Sequence, residues 1–504
     1  MAEFIDLVAR SLREETRSEF DRRVDEQAAR LTDALQTGRL DSPGFGLGIE
    51  LEAYAVDDKN RLARVPDSVF DGHCDRELGE HNVELHTDPT PFDDDGIAAQ
   101  AASLRQDYRT AQQAAARDGL EIVLDSMWTI PPREGSDDYL GAVRESEGLS
   151  IAENMTSSPR YCAIDNAVLG RTGGSIPLSV PGVDRRFPSL LFESLASSIQ
   201  PHLQVPDAEA FPRYYNTALG TLGPVLALAT NSPLLPPDLY AIDDPSDVLE
   251  ETHHELRIPV FEQSINRAWE KVRFPDEIGS AADTVDRLVA DPTCAPFLRE
   301  WLRDDDRETF ADQFWELDHK RGTYWRWLRA VIGGQPVDRG DRWSIRIEYR
   351  PLPTQPTIRE TIGLQCLVVG LVRGLCVADH PLETLDRDAA ERSFYSAVED
   401  GLEADLAWIT ADGDRTTDSS VIYGELFEYA RRGLREQGVS SETMEEYLAP
   451  LETRWTDRTT PSRWKLDRVA DRLDAGKEFD ESVREMQSEY IARAKTEEPL
   501  TQWT

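Results

Sequence analysis

The chain has 504 residues, of which 95 are acidic and 55 are basic, so its formal net charge is −40. A hydrophobic content of 39% and an aromatic content of 8% suffice for a large buried core, which excludes a disordered acidic chain. The excess of carboxylates also excludes nucleic acid as a partner, because phosphate groups repel such a surface.

The negative charge is spread along the whole chain, and lysine is almost absent. One interpretation is an acidic surface that binds a basic partner. The other is adaptation to a salt-rich cytosol, where dissolved ions screen the repulsion between surface carboxylates. The even spread favours the second interpretation, a halophilic protein.

Five cysteines, Cys74, Cys162, Cys294, Cys366 and Cys376, lie far apart and form no CxxC pair. This pattern predicts reduced thiols in the cytoplasm, not a disulfide framework or a zinc site. The N-terminal segment is amphipathic and acidic, unlike a signal peptide, and no apolar run approaches the ~18 residues of a membrane span. We therefore expect a cytoplasmic protein that does not enter a membrane.

Hydrophobic periodicity predicts a mixture of helices and strands. In chain order the prediction is a helix at 4–38, strands at 44–56 and 81–87, a helix at 96–118, a strand at 120–126, loops over 127–190, a strand at 197–205, a helix at 206–230, loops with short helices over 237–280, mostly helix over 282–330, a strand at 342–352, a buried helix at 358–378 and charged helices over 385–495. We expect three units: an N-terminal helix (1–40), a central domain (41–384) and a helical C-terminal extension (385–504).

Four of the predicted strands carry polar side chains on a single face. Side chains alternate along a strand, so Glu50 and Glu52 leave the same face of the first one. The other sets that share a face are Asn82 with Glu84; Ser198, Gln200, His202 and Gln204; and Arg346, Glu348 and Arg350. A solvated face is the simpler interpretation, but the choice of Glu, His, Gln and Arg favours a functional face.

If these faces converge, several carboxylates and one imidazole would repel each other unless cations lie among them. Oxygen ligands with an occasional His select Mg²⁺ or Mn²⁺, ions that are usually shared with substrate phosphates. Arg346 and Arg350, beside Glu348, have the forked geometry that binds phosphate or carboxylate. The pattern is typical of phosphoryl transfer.

Six short motifs carry a resemblance to a known family. They are Gly48-Ile49-Glu50-Leu51-Glu52, Val83-Glu84-Leu85-His86-Thr87, Arg160-Tyr161, Gln200-Pro201-His202, Ala229-Thr230-Asn231-Ser232-Pro233 and Glu348-Tyr349-Arg350. In this order, over residues 44–380, they resemble glutamate–cysteine ligase family 2, the carboxylate–amine ligases.

The resemblance implies an α+β fold similar to glutamine synthetase, with an antiparallel sheet, one polar catalytic face, helices packed on the other face and a C-terminal all-α appendage. It implies ATP and Mg²⁺ (or Mn²⁺) as cofactors and formation of an amide bond through an acylphosphate. The implied metal ligands are Glu50, Glu52, Glu84 and Glu348, with Gln200 or His202 as a further ligand. Arg350 is implied to hold the phosphate beside Arg346, and Arg160, Arg257 and Asn231 are candidates for substrate or nucleotide binding.

Two departures from the family pattern leave alternatives open. Gln200 stands where the family often has His, and residues 385–504 have no counterpart in its short members. A glutamate–cysteine ligase is the first hypothesis, a ligase with another acid or amine the second, and a non-catalytic binding protein the third. The expected partners are small molecules, namely amino acids and ATP, and a homo-oligomer is compatible with the sequence. We expect Tyr324, Trp325 and Trp327 to serve in helix packing.

Overall fold

The computed structural model describes residues 2–72, 74–303, 309–334, 336–337 and 342–503. The strands are β1 (Gly46–Val56), β2 (Cys74–Arg76), β3 (Asn82–His86), β4 (Thr90–Pro91), β5 (Glu121–Val123), β6 (Val143–Ser146), β7 (Leu149–Ala152), β8 (Ile176–Val180), β9 (Val183–Phe187), β10 (Ile199–Val205), β11 (Leu328–Ile332), β12 (Ile345–Tyr349), β13 (Trp408–Ile409) and β14 (Arg415–Thr416). The helices are α1 (Ala2–Ser11), α2 (Glu14–Gln36), α3 (Asp94–Ala116), α4 (Ser136–Gly141), α5 (Pro159–Thr172), α6 (Phe211–Ala229), α7 (Pro245–Glu251), α8 (Arg257–Ile265), α9 (Ala281–Ala290), α10 (Arg299–Leu302), α11 (Phe310–Gln313), α12 (Trp315–Arg321), α13 (Ile358–Val377), α14 (Arg387–Asp400), α15 (Ser419–Glu436), α16 (Ser441–Asp457), α17 (Pro461–Asp474) and α18 (Phe479–Ala494).

The main sheet is antiparallel, with strand order β11-β12-β10-β1-β3-β2 and with β4 and β5 also paired to β1. Helices α3, α6 and α13 pack against these strands and cover the apolar side of the sheet. The mixture of helices with an antiparallel sheet agrees with the predicted fold class.

Helix α13 is the one described helix that is long and apolar enough to cross a membrane, and 89% of its most apolar stretch is buried within the protein. Its N-cap is Thr357, whose side chain accepts a hydrogen bond from the backbone N–H of Glu360. The helix therefore begins where predicted and serves as a core element behind the sheet.

Three predicted segments differ from the structure. The helix predicted at 4–38 is two helices, because the chain turns after Ser11 into the extended residue Arg13 that precedes α2. The loops predicted over 127–190 contain α5 and the hairpins β6–β7 and β8–β9, whose turns place Gly148 and Gly182 at positive φ. Turn-forming Gly and Pro were thus signs of tight hairpins, not of irregular structure.

The third difference is β11, which ends the segment predicted as mostly helix over 282–330. It extends the sheet beyond β12 and brings one more polar side chain, Arg329, onto it. The short strand Leu328–Ile332 was missed because it begins shortly after α12, where the sequence was predicted to continue as helix.

Helices α14–α18 pack closely on the rest of the chain. α14 packs against α6, while α15 and α16 pack against α13, and buried residues from Ile5 to Ile491 belong to one hydrophobic core. A second apolar cluster joins α17 and α18 to Leu234 and Val248. The boundary expected near residue 384 stays a prediction.

Buried charges also join the C-terminal helices to the sheet half of the chain. Lys465 Nζ lies 2.5 Å from Asp125 Oδ1 and donates to the carbonyl of Asn231 at 2.8 Å. Gln487 Nε2 donates to the other Asp125 oxygen at 2.7 Å. Both charged side chains are almost completely buried, so each depends on the other for charge compensation.

Candidate active site

The polar faces of the four predicted strands come together on one side of the main sheet. In the strand register Glu52 lies opposite Glu84, Glu50 opposite Gln200, and His202 opposite Glu348. Residues directly opposite each other on antiparallel strands share a face. The convergence inferred from the sequence is therefore present in the structure.

Two cavities lie over this face. The larger, of about 360 Å³, is lined by carboxylates that include Glu50, Glu52 and Glu84, and also by Arg350. The smaller, of about 290 Å³, is lined by His202, Arg346 and the β1 backbone around its glycines. Glu50 lines both cavities, so it marks the place where they adjoin. The larger volume suits a small-molecule site.

Glu348 is buried between two guanidinium groups. Arg329 Nη2 donates to both of its oxygens, at 2.8 and 2.9 Å, and Arg350 Nη1 donates to Oε1. Burial alone would raise the pKa of Glu348, but Arg329, Arg350 and His202 outweigh it and hold that pKa well below its usual range. Arg350 also donates to Gln200 Oε1 at 2.6 Å, which ties β10 to the end of β12.

The opposite behaviour marks the carboxylates of β1 and β3. The pKa of Glu52 is raised to about 7, mainly by burial and secondly by the nearby Glu77 carboxylate. Two hydrogen bonds that Ser198 donates to Glu52, at 2.8 and 2.9 Å, oppose this rise. Burial and then Glu77, Glu50 and Glu52 raise the pKa of Glu84 well above its usual value. These like charges lack sufficient compensation within the protein itself.

Glu77 was missed by the sequence reasoning. It lies before β3, lines the larger cavity and accepts a hydrogen bond from Tyr161 at 3.1 Å. Burial raises the pKa of Glu77, while Tyr161, Arg160 and Arg350 oppose the rise. Its spacing from Glu84 crosses a turn, so strand alternation gave no sign of it.

His202 has one ring nitrogen in a hydrogen bond and one without. Arg346 Nε donates to Nδ1 at 3.1 Å, whereas the buried Nε2 has no hydrogen-bond partner among the described residues. Nε2 lies 3.4 Å from Glu50 Oε1 and 4.0 Å from Glu348 Oε2. Burial lowers the pKa of His202, which favours the neutral imidazole that a metal ion would need.

Within the described ranges, no three His, Cys, Asp or Glu side chains are close enough to form a ready-made metal site. The expected ligands lie on one face of the sheet, but several already have hydrogen-bond partners within the protein. Glu348 accepts from arginines, Glu52 accepts from Ser198, and His202 accepts from Arg346.

Arg160 and Arg257, the two arginines predicted to bind substrate or nucleotide, both line the larger cavity. Arg257 is 1% exposed and lies 3.2 Å from Glu255, whose other oxygen accepts the backbone N–H of Asn231 at 3.0 Å. Burial lowers the pKa of Arg257, and Glu255 and Glu52 oppose this shift.

Asn231 does not belong to the lining of either cavity described above. Its buried side chain donates to the Thr354 carbonyl at 2.7 Å and to Tyr490 at 2.9 Å. The expectation that Asn231 binds substrate or nucleotide is therefore not supported by its position, because its contacts fasten the loop that follows α6.

Aromatic side chains form part of the cavity wall. Trp325, Trp327 and Phe261 line it, and Trp327 Nε1 donates to Glu262 at 2.7 Å. The two tryptophans follow α12 instead of lying within a helix, and Trp327 packs against Phe261 of α8 and Phe394 of α14. The site thus combines a charged sheet face with an apolar wall.

The comparisons with known proteins were made on the sequence and on the fold. The sequence matches the profile of glutamate–cysteine ligase family 2 over residues 46–497. A search of curated proteins gives no significant match. A glutamate–cysteine ligase from Francisella tularensis, determined in complex with AMP, aligns at 15% identity with a TM-score of 0.52, covering 91% of this chain and 90% of that one.

A bifunctional glutathione synthetase from Pasteurella multocida aligns at 13% identity with a TM-score of 0.48, covering 93% of this chain and 55% of that one. The Francisella structure supports a shared fold. Since the family profile spans nearly the whole sequence, the chain belongs to glutamate–cysteine ligase family 2.

Proposed function

We propose that this protein is an ATP-dependent ligase that joins a carboxylate to an amine. The observation that carries the proposal is the convergence of Glu50, Glu52, Glu84 and Glu348 with Arg346 and Arg350 on one face of the sheet. Membership of the family supports ligase chemistry, and the AMP bound to the Francisella enzyme supports a nucleotide substrate.

We propose that Mg²⁺ or Mn²⁺ is held by Glu50, Glu52, Glu84 and Glu348, with His202 or Gln200 as a further ligand and with Glu77 added from the structure. Two observations support the fit: Glu52, Glu77 and Glu84 have raised pKa values that a cation would lower, and the buried His202 Nε2 has no described hydrogen-bond partner. Such ions supply charge neutralisation for the transferring phosphoryl group.

In the proposed reaction a substrate carboxylate oxygen attacks the γ-phosphorus of ATP, and ADP leaves. The nitrogen of an amine then attacks the carbonyl carbon of the acylphosphate, phosphate leaves, and the nitrogen loses a proton. Arg350 stabilises the negative charge on the phosphoryl oxygens, and Arg346 holds His202 in position. The enclosing wall of Trp325 and Trp327 limits the access of water to the acylphosphate.

Glutamate and cysteine are the first substrates that we propose, by analogy with the family. A ligase for another acid or amine is the second candidate, favoured by Gln200 and by the apolar wall of the larger cavity. A non-catalytic role is least supported, because Glu50, Glu52, Glu84 and Glu348 share one face of the sheet.

The test is ADP release by the full chain with Mg²⁺ in molar KCl, using glutamate and a panel of amino acids. Release that depends on cysteine supports the first candidate, and release with another amine supports the second. No release with any pair would overturn the ligase assignment.

We further propose that the reaction takes place in the cytoplasm. All five cysteines are buried and none forms a disulfide, as expected in a reducing compartment.

A further inference from the structure

One carboxyl in the larger cavity has no role in the proposed reaction. Glu193 lies in a 3-10 helix, Leu190–Leu195, between β9 and β10 and is 8% exposed. Its side chain lines the same cavity as Glu52 and Glu84. A buried carboxyl in a cavity wall calls for a reason, because burial is costly without a partner.

The backbone that carries Glu193 is fixed at both ends. Asp165 accepts the N–H of Leu190 at 2.8 Å, and Ser189 caps the turn by accepting the N–H of Leu191 at 3.1 Å. At the other end Asn82 Nδ2 donates to the carbonyl of Ser194 at 3.1 Å. Glu193 is therefore held in place by rigid elements, as a recognition group should be.

Glu193 lacks the positive partner that two other buried carboxylates, Glu348 and Glu255, have. Glu348 has Arg329 and Arg350, and Glu255 has Arg257. Among the described residues, no Lys, Arg or His forms an ion pair with Glu193.

Its one side-chain partner is Ser264 of α8, whose hydroxyl bonds Oε1, so Oε2 is left without a hydrogen bond from the described part of the chain. Burial, opposed by Ser264 and assisted by the Asp165 and Glu77 carboxyls, raises the pKa of Glu193 to about 8. A cation brought by a substrate would supply the missing compensation.

The neighbouring wall is apolar. Ile164, Leu190, Phe261 and Ile265 line the cavity together with Glu193. An inorganic cation would prefer several oxygen ligands and water. A primary ammonium attached to a carbon skeleton suits one carboxylate beside an apolar wall, because its N–H groups bond the carboxylate while the carbons pack.

We propose that Glu193 binds the primary ammonium of an amino-acid substrate. This inference rests on the proposed function for its setting, since the ammonium belongs either to the amine substrate or to an amino group on the acid substrate. Both sources share the same chemistry, and the experiment separates them.

The test compares ligands that differ only in the ammonium. Calorimetry on the full chain in molar KCl measures binding of L-2-aminobutyrate against 2-hydroxybutyrate, for the amine subsite, and of L-glutamate against glutarate, for the acid subsite. We expect the wild-type protein to prefer the amino member of one pair by about tenfold or more, the scale of a charge-assisted hydrogen bond. Glu193→Gln should reduce that preference to about one.

Glu145→Gln is the matched control, because it makes the same exchange at an exposed position on β6 that lies outside the cavity lining. It should keep the wild-type preference. If Glu193→Gln does not fold by circular dichroism, Ser264→Ala removes only the hydroxyl that holds Oε1 and should lower the preference by about threefold.

The proposal is overturned if the wild-type protein shows no preference in either pair, if none of the four ligands binds, or if Glu193→Gln keeps the preference. These outcomes are separate from the ligase test, since loss of ADP release alone rejects the proposed function while the binding ratios still decide the role of Glu193.

Discussion

Single carboxylates on the sheet face differ in whether the protein itself compensates their charge. Glu348 has two arginines, and its pKa is lowered well below the usual range. Glu84 lies among like charges, and its pKa is raised by burial and by its neighbours. A residue kept in an unfavourable environment is a candidate for function, because binding of a ligand can offset the free-energy cost of burying it.

We therefore predict opposite stability effects for two equivalent substitutions. Glu84→Gln removes a carboxyl whose ionised form is disfavoured in the fold, so it should raise the melting temperature while reducing ADP release by about 100-fold or more through loss of a ligand. Glu348→Gln should reduce ADP release similarly but lower the melting temperature, because Arg329 and Arg350 lose their buried partner.

The measurements are scanning calorimetry and ADP release in molar KCl. Glu145→Gln, an exposed position on β6, serves as the control and should change neither quantity. Near-wild-type ADP release by Glu84→Gln would show that the assigned ligand set is wrong.

Asp165 gives a pH-dependent prediction. Burial, opposed by the N–H of Leu190 and by Ser189, raises the pKa of Asp165 to about 7 from its model-compound value of 3.8. The folded state therefore favours the protonated acid, and its stabilising contribution is full below pH 3.8 and lost as the pH rises toward 7. Asp165→Asn has no carboxyl at this position. The free energy of unfolding of this variant should therefore increase relative to that of the wild type as the pH rises from 3.8 to 7.

Urea unfolding at several pH values between 4 and 7.5 measures that difference, which we expect to grow by on the order of 1 kcal/mol per pH unit within the window. A difference that is independent of pH would mean that Asp165 is ionised in the fold at all these values.

At the scale of elements, helix α15 lies against α13 through glycines. A Cβ atom built on Gly433 of α15 would overlap the carbonyl oxygen of Gly370 on α13, whereas one on Gly424 of the same helix would meet nothing within 4 Å. The two backbones approach each other so closely because Gly433 has no side chain. This packing holds the helix that lies behind the polar face of the sheet.

Gly433→Ala should lower the free energy of unfolding by about 2 kcal/mol, because the helices must move apart. Gly424→Ala is the matched control and should raise it by about 0.5 kcal/mol, since alanine favours an exposed helix. Chemical denaturation of both variants provides the comparison. Equal effects of the two substitutions would contradict the close-packing explanation.

Strand alternation was sufficient to predict which side chains of β1, β3, β10 and β12 share a face, because each strand is long enough to show its period. The residues that it missed lie where no strand was predicted. Glu77 precedes a turn, Arg329 lies in the segment predicted as mostly helix, and Glu193 is in a 3-10 helix between the loops predicted to residue 190 and the strand predicted from 197. The pairing of distant strands was implied by the family resemblance and not by the pattern itself.

At the scale of the whole molecule, the net charge of −40 produces a self-repulsion that no local contact removes. Many surface carboxylates have arginine partners, yet acidic residues remain in large excess. We therefore expect the stability of the fold to depend on dissolved ions.

We predict that the melting temperature rises by several degrees as KCl increases, with most of the gain below about 1 M, because the Debye length falls from ~10 Å at 0.1 M to ~3 Å at 1 M. Differential scanning fluorimetry measures it, with sucrose of equal osmolarity as the uncharged control. A melting temperature that stays constant or falls with KCl would contradict adaptation to salt.

The ion pair between Lys465 and Asp125 has a consequence for biosynthesis. Asp125 lies early in the chain, just after the strand β5, and its charge stays uncompensated until α17 has been made and has docked. A nascent polypeptide that stops before Lys465 would contain every proposed ligand. It would lack the cationic partner of Asp125, so burial of that carboxylate in the core would be unfavourable. Maturation of the proposed active site would thus be delayed until late in translation, and prematurely terminated products would be substrates for proteolysis.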